Sequence, residues 1–305
     1  MKLAPITLFV YNRPEHAKKT IEALKKNKFA KESELFIFSD GPKKQEDTFK
    51  VKEVREYLKT ISGFKSMKIV ERQENLGLAK SIIGGVTEVV NRYGRIIVLE
   101  DDLITSPYFL KYMNEALDLY ENEEKIISIH GYVYPIKQKL PETFLLKGAD
   151  CWGWATWKRG WDLFETDGRK LLAELKERKL TKEFDFDNSY PYTQMLEGQI
   201  NGFNNSWAVC WYASAFLKEK LTLYPGESLI RNYGFDNSGT HSGNNKYFDT
   251  KISNDPVILE SINIDEDQKA KDLIKEYFNL PKIKIITIFM RLKFYFNILF
   301  KKYGQ

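Results

Sequence analysis

The sequence predicts an α/β fold built on a mostly parallel sheet, and three observations carry that prediction. Short apolar runs alternate with longer polar, helix-spaced segments through the first half. The run Ile96 to Leu99 is uniformly aliphatic, as suits a strand covered on both faces. Polar clusters close three of the runs, and ligands of open α/β sheets bind beyond the carboxyl ends of strands.

The elements follow in order. Ile6 to Tyr11 reads as a strand, and Asn12-Arg13-Pro14 opens a helix that runs from Pro14 to Lys26. Glu34 to Phe38 is a second strand ending in the turn Ser39-Asp40-Gly41-Pro42. Gln45 to Thr60 is a charged amphipathic helix, Lys68 to Glu71 a third strand and Ala79 to Tyr93 a helix. "RIIVLEDDL", Arg95 to Leu103, then carries a fourth strand into Glu100, Asp101 and Asp102. A helix from Pro107 to Tyr120 and a strand from Ile126 to Ile129 continue the pattern. From Phe144 the chain turns aromatic: "CWGWATWKRGW" holds four of the six Trp and "SWAVCWYASAF" the other two. Clustered Trp has two readings, rings of the core or rings stacked on a sugar face.

At 305 residues and 43% hydrophobic, the chain is long enough for a substantial core, and it lacks internal repeats and low-complexity tracts. The 47 Lys and Arg exceed the 42 Asp and Glu by only five, too mild and dispersed an excess for a nucleic-acid binder. Two cysteines, Cys151 and Cys210, make no disulfide framework and favour a reducing compartment. The start MKLAPITLFVYNRPEH lacks a signal-peptide h-region, so the expected location is cytoplasmic.

Three adjacent carboxylates repel one another, and burying them is costly unless they are paired, hydrogen-bonded or holding a cation. At a strand end they suit a hard divalent ion, Mg²⁺ or Mn²⁺, shared with substrate phosphate oxygens. The alternative is a solvated, acid-rich turn before a helix.

"RIIVLEDDLITSPYFLKYMNEAL" resembles the DXD-type metal segment of GT-A glycosyltransferases, in particular N-acetylglucosaminyltransferase I and bacterial family 2-like sugar transferases. The likeness extends to "TLFVYNRPEHAKKTIEAL", "FIFSDGPK", "RQENLGLAKSI", "CWGWATW" and "LTLYPGESLIRNYGFDNSGTHSG", in the family's order from residue 5 to about 243. It implies a GT-A, Rossmann-like sheet with flanking helices, a single domain followed by a helical tail. It implies an inverting, metal-dependent transfer of a sugar from a nucleotide-sugar, expected to be a UDP-sugar, to a glycan or glycolipid acceptor of a surface polysaccharide. By the same resemblance Arg13 and Asp40, with Asn12 beside them, contact the uracil. The loop from Asn75 to Ala79 passes the nucleotide, Glu100 and Asp101 meet ribose and sugar, and Asp102 is the metal ligand. His241 approaches the metal or diphosphate, and Trp154, with Trp152 and Gly153, lines the donor-sugar and acceptor pocket.

The implied organisation is a transferase domain over 1–243, divided into a nucleotide-binding half (1–130) and an acceptor-binding half (131–243). An extension covers 244–280 and a tail 281–305. The sequence departs from the family at the general base. Where the family has a carboxylate, "NNSWAVCW" from Asn204 to Trp211 has none. Asp187 is the leading substitute, with Asp185, Glu197 and Asp236 behind it. A nucleotide-sugar-binding protein without turnover is the rival reading; a nucleotidyltransferase is disfavoured because "YNRPEH" lacks the glycines of a phosphate loop.

The tail "KIKIITIFMRLKFYFNILFKK" has six basic residues and no acid. Charge interrupts it too often for a spanning helix. It is expected to lie on an anionic membrane surface, on the inner face of the plasma membrane, with a helix packed on the domain or against another subunit as the alternative.

Overall fold

A computed structural model of the chain describes residues 2–236 and 246–303, without the side chains of 246 and 299–303. The first half is β1 (Ile6–Val10), α1 (Pro14–Lys25), β2 (Glu34–Ser39), α2 (Asp47–Lys59), β3 (Ser66–Glu71), α3 (Leu78–Tyr93) and β4 (Arg95–Glu100). Each helix is a crossover, so β3-β2-β1-β4 are all parallel and their carboxyl ends share one edge. Burial on both faces explains the aliphatic run of β4, whose first five residues are all buried. Gly85 lets α3 lie close on β1: a Cβ there stands 2.7 Å from the Phe9 ring.

Beyond β4 come β5 (Leu103–Thr105), α4 (Phe109–Leu119), β6 (Ile126–His130), β7 (Thr143–Lys147), β8 (Trp154–Trp157) and α5 (Lys158–Trp161). Next are α6 (Gly168–Glu177), α7 (Thr181–Phe184), α8 (Tyr192–Ile200), α9 (Trp207–Leu217), β9 (Leu221–Pro225) and β10 (Ile230–Asn232). A 3₁₀ turn, Lys246–Phe248, precedes α10 (Gln268–Phe278) and α11 (Pro281–Tyr303). The eight-stranded sheet runs β3-β2-β1-β4-β8-β6-β9-β7, and β5 pairs with β10 in a separate ribbon. The second half is mixed: β8 is antiparallel to both β4 and β6, and β7 to β9, while β6 and β9 run parallel.

The α1 and α4 face of the sheet packs an aliphatic core. The α3 face packs a tryptophan core, in which Trp154 lies 5.7 Å from Trp161, 5.7 Å from Trp207 and 5.9 Å from Trp211, centroid to centroid. A third core joins α6, α8, α9 and α10. The extension is packed onto both halves. Val257, Leu259, Ile262 and Ile264 lie against the aliphatic core, Asp267 donates its N–H to the Leu145 carbonyl at 2.8 Å, and α10 buries Ala270, Ile274 and Phe278.

Candidate active site

The site is built where β1, β2 and β4 end. Because β4 stops at Glu100, the three acids turn out of the sheet together and meet the start of α1. Arg13 reaches across to pair with Asp101 and, at 3.0 Å, with Asp102. One guanidinium among three carboxylates leaves the edge short of positive charge. Burial and the other two acids push Glu100 up to about 8, while burial pushes Asp101 up against the opposing pull of Arg13. Among the described residues, no group of three or more His, Cys, Asp and Glu side chains is placed to hold a metal by itself. Asp101 and Asp102 could supply one or two oxygens to a divalent ion whose other ligands come from a diphosphate.

Segment 230–236 closes over this edge through the β5–β10 ribbon. Tyr233 donates its N–H to the Asp102 carbonyl at 3.1 Å, its ring stacks on His16 at 4.7 Å, and His16 pairs with Asp236 at 3.2 Å. Burial and the neighbouring Arg13 lower the His16 pKa. Gly234 passes so close that a Cβ would run into the Asp102 carboxylate. His241, expected at the metal or diphosphate, lies outside the described residues. The sequence reading missed His16 and Tyr233, for which pairing of residues 230–232 with 103–105 is the missing signal.

Asp40, expected at the uracil, sits at the ends of β2 and β3. It is only 5% exposed, and its carboxylate accepts N–H bonds from Gly41 at 3.1 Å, Leu76 at 2.9 Å and Gly77 at 2.9 Å. It thereby shapes the loop that opens α3. Asn75 donates to the Gly41 carbonyl at 2.8 Å from the same loop, and Asn12 donates to Asp47 at 2.8 Å, tying β1 to α2. Arg13 likewise faces Asp101 and Asp102. A cavity of about 280 Å³ separates this loop from the start of α9, with Gly77, Lys80, Phe164, Asn204, Asn205 and Cys210 in its wall. Among the described residues, no carboxylate lines it.

The antiparallel register of β4 on β8 sets Val98 against Trp154, so the lead-in to β8 runs back beside the acids. That lead-in carries Asp150, a half-buried carboxylate the sequence reading passed over. Asp150, Glu100 and Asp102 all raise the pKa of the adjacent Cys151 thiol, after burial itself. Asp150 accepts the Cys151 N–H at 2.8 Å, and its other oxygen is 3.9 Å from Nδ1 of buried His130. Burial lowers the His130 pKa, and its Nε2 accepts the Trp152 N–H at 3.0 Å, so the neutral ring carries its proton on Nδ1, towards Asp150. Half-buried Trp152 meets Tyr132 at 4.7 Å and Phe235 at 5.7 Å, forming an aromatic wall between Asp150 and the 230–236 segment.

One expectation is corrected. Trp154 has no exposed surface, so it is a ring of the core and cannot stack on a sugar; Trp152 is its partly exposed neighbour. Asp187, the leading candidate base, pairs with Lys275 of α10 at 2.6 Å, which holds its carboxyl below the usual range. Of the other acids, Asp185 accepts the Thr193 N–H at 2.6 Å and Glu197 pairs with Lys176 at 3.0 Å, both in the α6–α8 layer. Only Asp236 reaches the acid edge.

Four parallel strands ordered β3-β2-β1-β4, carboxylates at the end of the fourth and a mixed second half define a GT-A fold. Residues 6–145 match the model of Glycosyl transferase family 2. No curated protein matches the chain. Among solved structures, the chain is similar to mannosyltransferase PcManGT from Pyrobaculum calidifontis in complex with GDP-Man and Mn²⁺, at 10% identity and TM-score 0.32, covering 43% of this chain and 35% of that one. It is also similar to S. aureus TarS 1-349 in complex with UDP-GlcNAc, at 12% identity and TM-score 0.41, covering 75% and 57%. A further S. aureus TarS structure, at 16% identity and TM-score 0.33, is covered over 25% of its length. The chain spans from a quarter to just over half of these structures.

Proposed function

We propose that the protein transfers a sugar from a nucleotide-sugar, a UDP-sugar, to a hydroxyl of a surface glycan such as a capsule or lipopolysaccharide chain, with inversion at the anomeric carbon. The observation that supports this most is the acid edge, where one guanidinium serves three carboxylates. Asp102, with His241 as its expected companion, would hold Mn²⁺ or Mg²⁺, which when bound neutralises the diphosphate as a leaving group. Arg13 keeps Asp101 and Asp102 in register, and the Asp40-anchored loop shapes the floor beside the nucleotide. Tyr233 and Trp152 screen the edge from water.

The base in this reading is Asp150. It takes the proton of the acceptor hydroxyl as that oxygen bonds to the anomeric carbon, and the nucleoside diphosphate leaves with the bonding electrons. Nδ1 of buried His130, which has no hydrogen-bond partner of its own, lies 3.9 Å from the carboxylate. Asp150→Asn should lower transfer about a hundredfold, as loss of a general base does, with donor binding unchanged. Asp187→Asn should leave transfer near normal, and unchanged turnover in Asp150→Asn moves the base to Asp236. Activity is read against a panel of UDP-, GDP- and dTDP-sugars with Mn²⁺. Tight binding without hydrolysis or transfer of any of them favours the second reading, a nucleotide-sugar-binding protein, whose support is the cavity wall without a carboxylate.

A further inference from the structure

The last helix has two apolar edges, and only one belongs to the protein. Its inner edge carries Ile283 and Phe294, 1% and 9% exposed. Ile283 joins the second-half core, and the Phe294 ring lies 6.0 Å from that of Phe203. Gln194 of α8 donates to the Arg291 carbonyl at 3.4 Å, and Arg291 to the Asn188 carbonyl at 3.4 Å. These contacts fix the rotation of α11.

With that rotation fixed, Ile285, Ile288, Phe289, Leu292 and Tyr295 form an exposed outer row, from 52% for Ile288 to 66% for Phe289. At 3.6 residues per turn the five fall within a sector of about 120°. Lys284 and Arg291 follow one margin of the sector, and Lys282 and Lys293 the other. Exposed apolar rows of this size on a soluble protein mark a contact surface. Among the described residues, no helix is long and apolar enough to cross a membrane.

We propose that the outer row of α11 is a docking surface for an anionic lipid bilayer, with the helix lying in the interface plane. Cations on both margins place their heads at lipid phosphates while the row between them enters the acyl boundary. Charge decides between this partner and a second copy of the chain. The helix carries six basic residues and no acid, so two such helices face to face would oppose cation to cation. The inference stands apart from the sugar-transfer reading, because it uses none of the site residues.

The test is sedimentation of the full chain with vesicles of phosphatidylcholine alone and of phosphatidylcholine mixed with phosphatidylglycerol. The protein should bind the mixed vesicles at low salt, and at least about tenfold more weakly on neutral vesicles or at about 1 M salt, where screening is short-ranged. Ile288→Gln/Phe289→Gln/Leu292→Gln keeps helix propensity and leaves the inner edge intact, so it should lose binding at least tenfold with an unchanged melting temperature. Lys282→Gln/Lys284→Gln/Lys293→Gln should weaken binding to mixed vesicles only. Failure of the folded parent to bind mixed vesicles at low salt overturns the proposal, as does full binding by the apolar triple variant. A dimer that the triple variant converts to monomer, with no vesicle binding by the parent, assigns the face to a second copy instead.

Discussion

At the residue scale, the site depends on approaches that leave no room for a side-chain atom. Gly234 lies against Asp102, so Gly234→Ala must displace either the 230–236 segment or the carboxylate. Donor binding in the presence of Mn²⁺, measured by calorimetry, should fall at least about tenfold, an effect of about 1.4 kcal/mol on binding. Asp185 supplies a pH-dependent prediction. Burial raises its pKa to about 6, above its ordinary value, so the folded chain holds that proton more tightly than the unfolded one. Its ionisation therefore costs stability above about pH 6. The cost fades as pH falls and is gone below the unfolded value of about 3.9. Asp185→Asn keeps an oxygen for the Thr193 N–H, and should raise the urea midpoint at pH 7 while changing nothing at pH 3.5. Glu100 to Asp102 were legible in the sequence because an aliphatic strand ran straight into them. Asp150 was not, because its proximity to Glu100 comes from a strand pairing across 50 residues of chain.

At the element scale, periodicity and breakers located the seven elements of the first half to within two residues at most ends. Each is a local pattern: an aliphatic or alternating run, then a polar helix repeat. The helix α9 is apolar all round, and the structure buries it between the tryptophan core and the second-half core. That packing is what turns four of the Trp rings inward. The helix α10 begins at Asp267, whose carboxylate accepts the Ala270 N–H at 2.8 Å while its own N–H bonds to Leu145 of β7. Asp267→Ala removes the cap and should lower stability by about 1 kcal/mol, read as a shift in urea midpoint at constant slope. A larger loss would mean that the cap also holds the extension on the sheet.

At the scale of the whole molecule, the tail and extension are integral to the second half. Removing residues 281–305 strips Ile283 and Phe294 from the protein and exposes the surfaces of Phe203 and α8 that they cover. Truncation should therefore lower the melting temperature by several degrees, since each buried large side chain contributes about 1.5–3 kcal/mol. Calorimetry of the truncated chain checks this, and an unchanged transition would separate the helix from the fold.

The sequence by itself determined the parallel half of the sheet, the edge where its strands' carboxyl ends meet and the acids at that edge. All of these follow from patterns within some twenty residues: an aliphatic strand, a crossover helix and the charge that follows. Tertiary structure decided what each polar group does there. Asp40 and Asn75 hold backbone, Arg13 turns to the acids, Trp154 joins the core and Asp187 pairs with α10. A carboxylate or a ring takes its role from the nearest donor, charge or apolar surface. In this chain those partners come from segments distant in sequence, brought together only when the sheet closes.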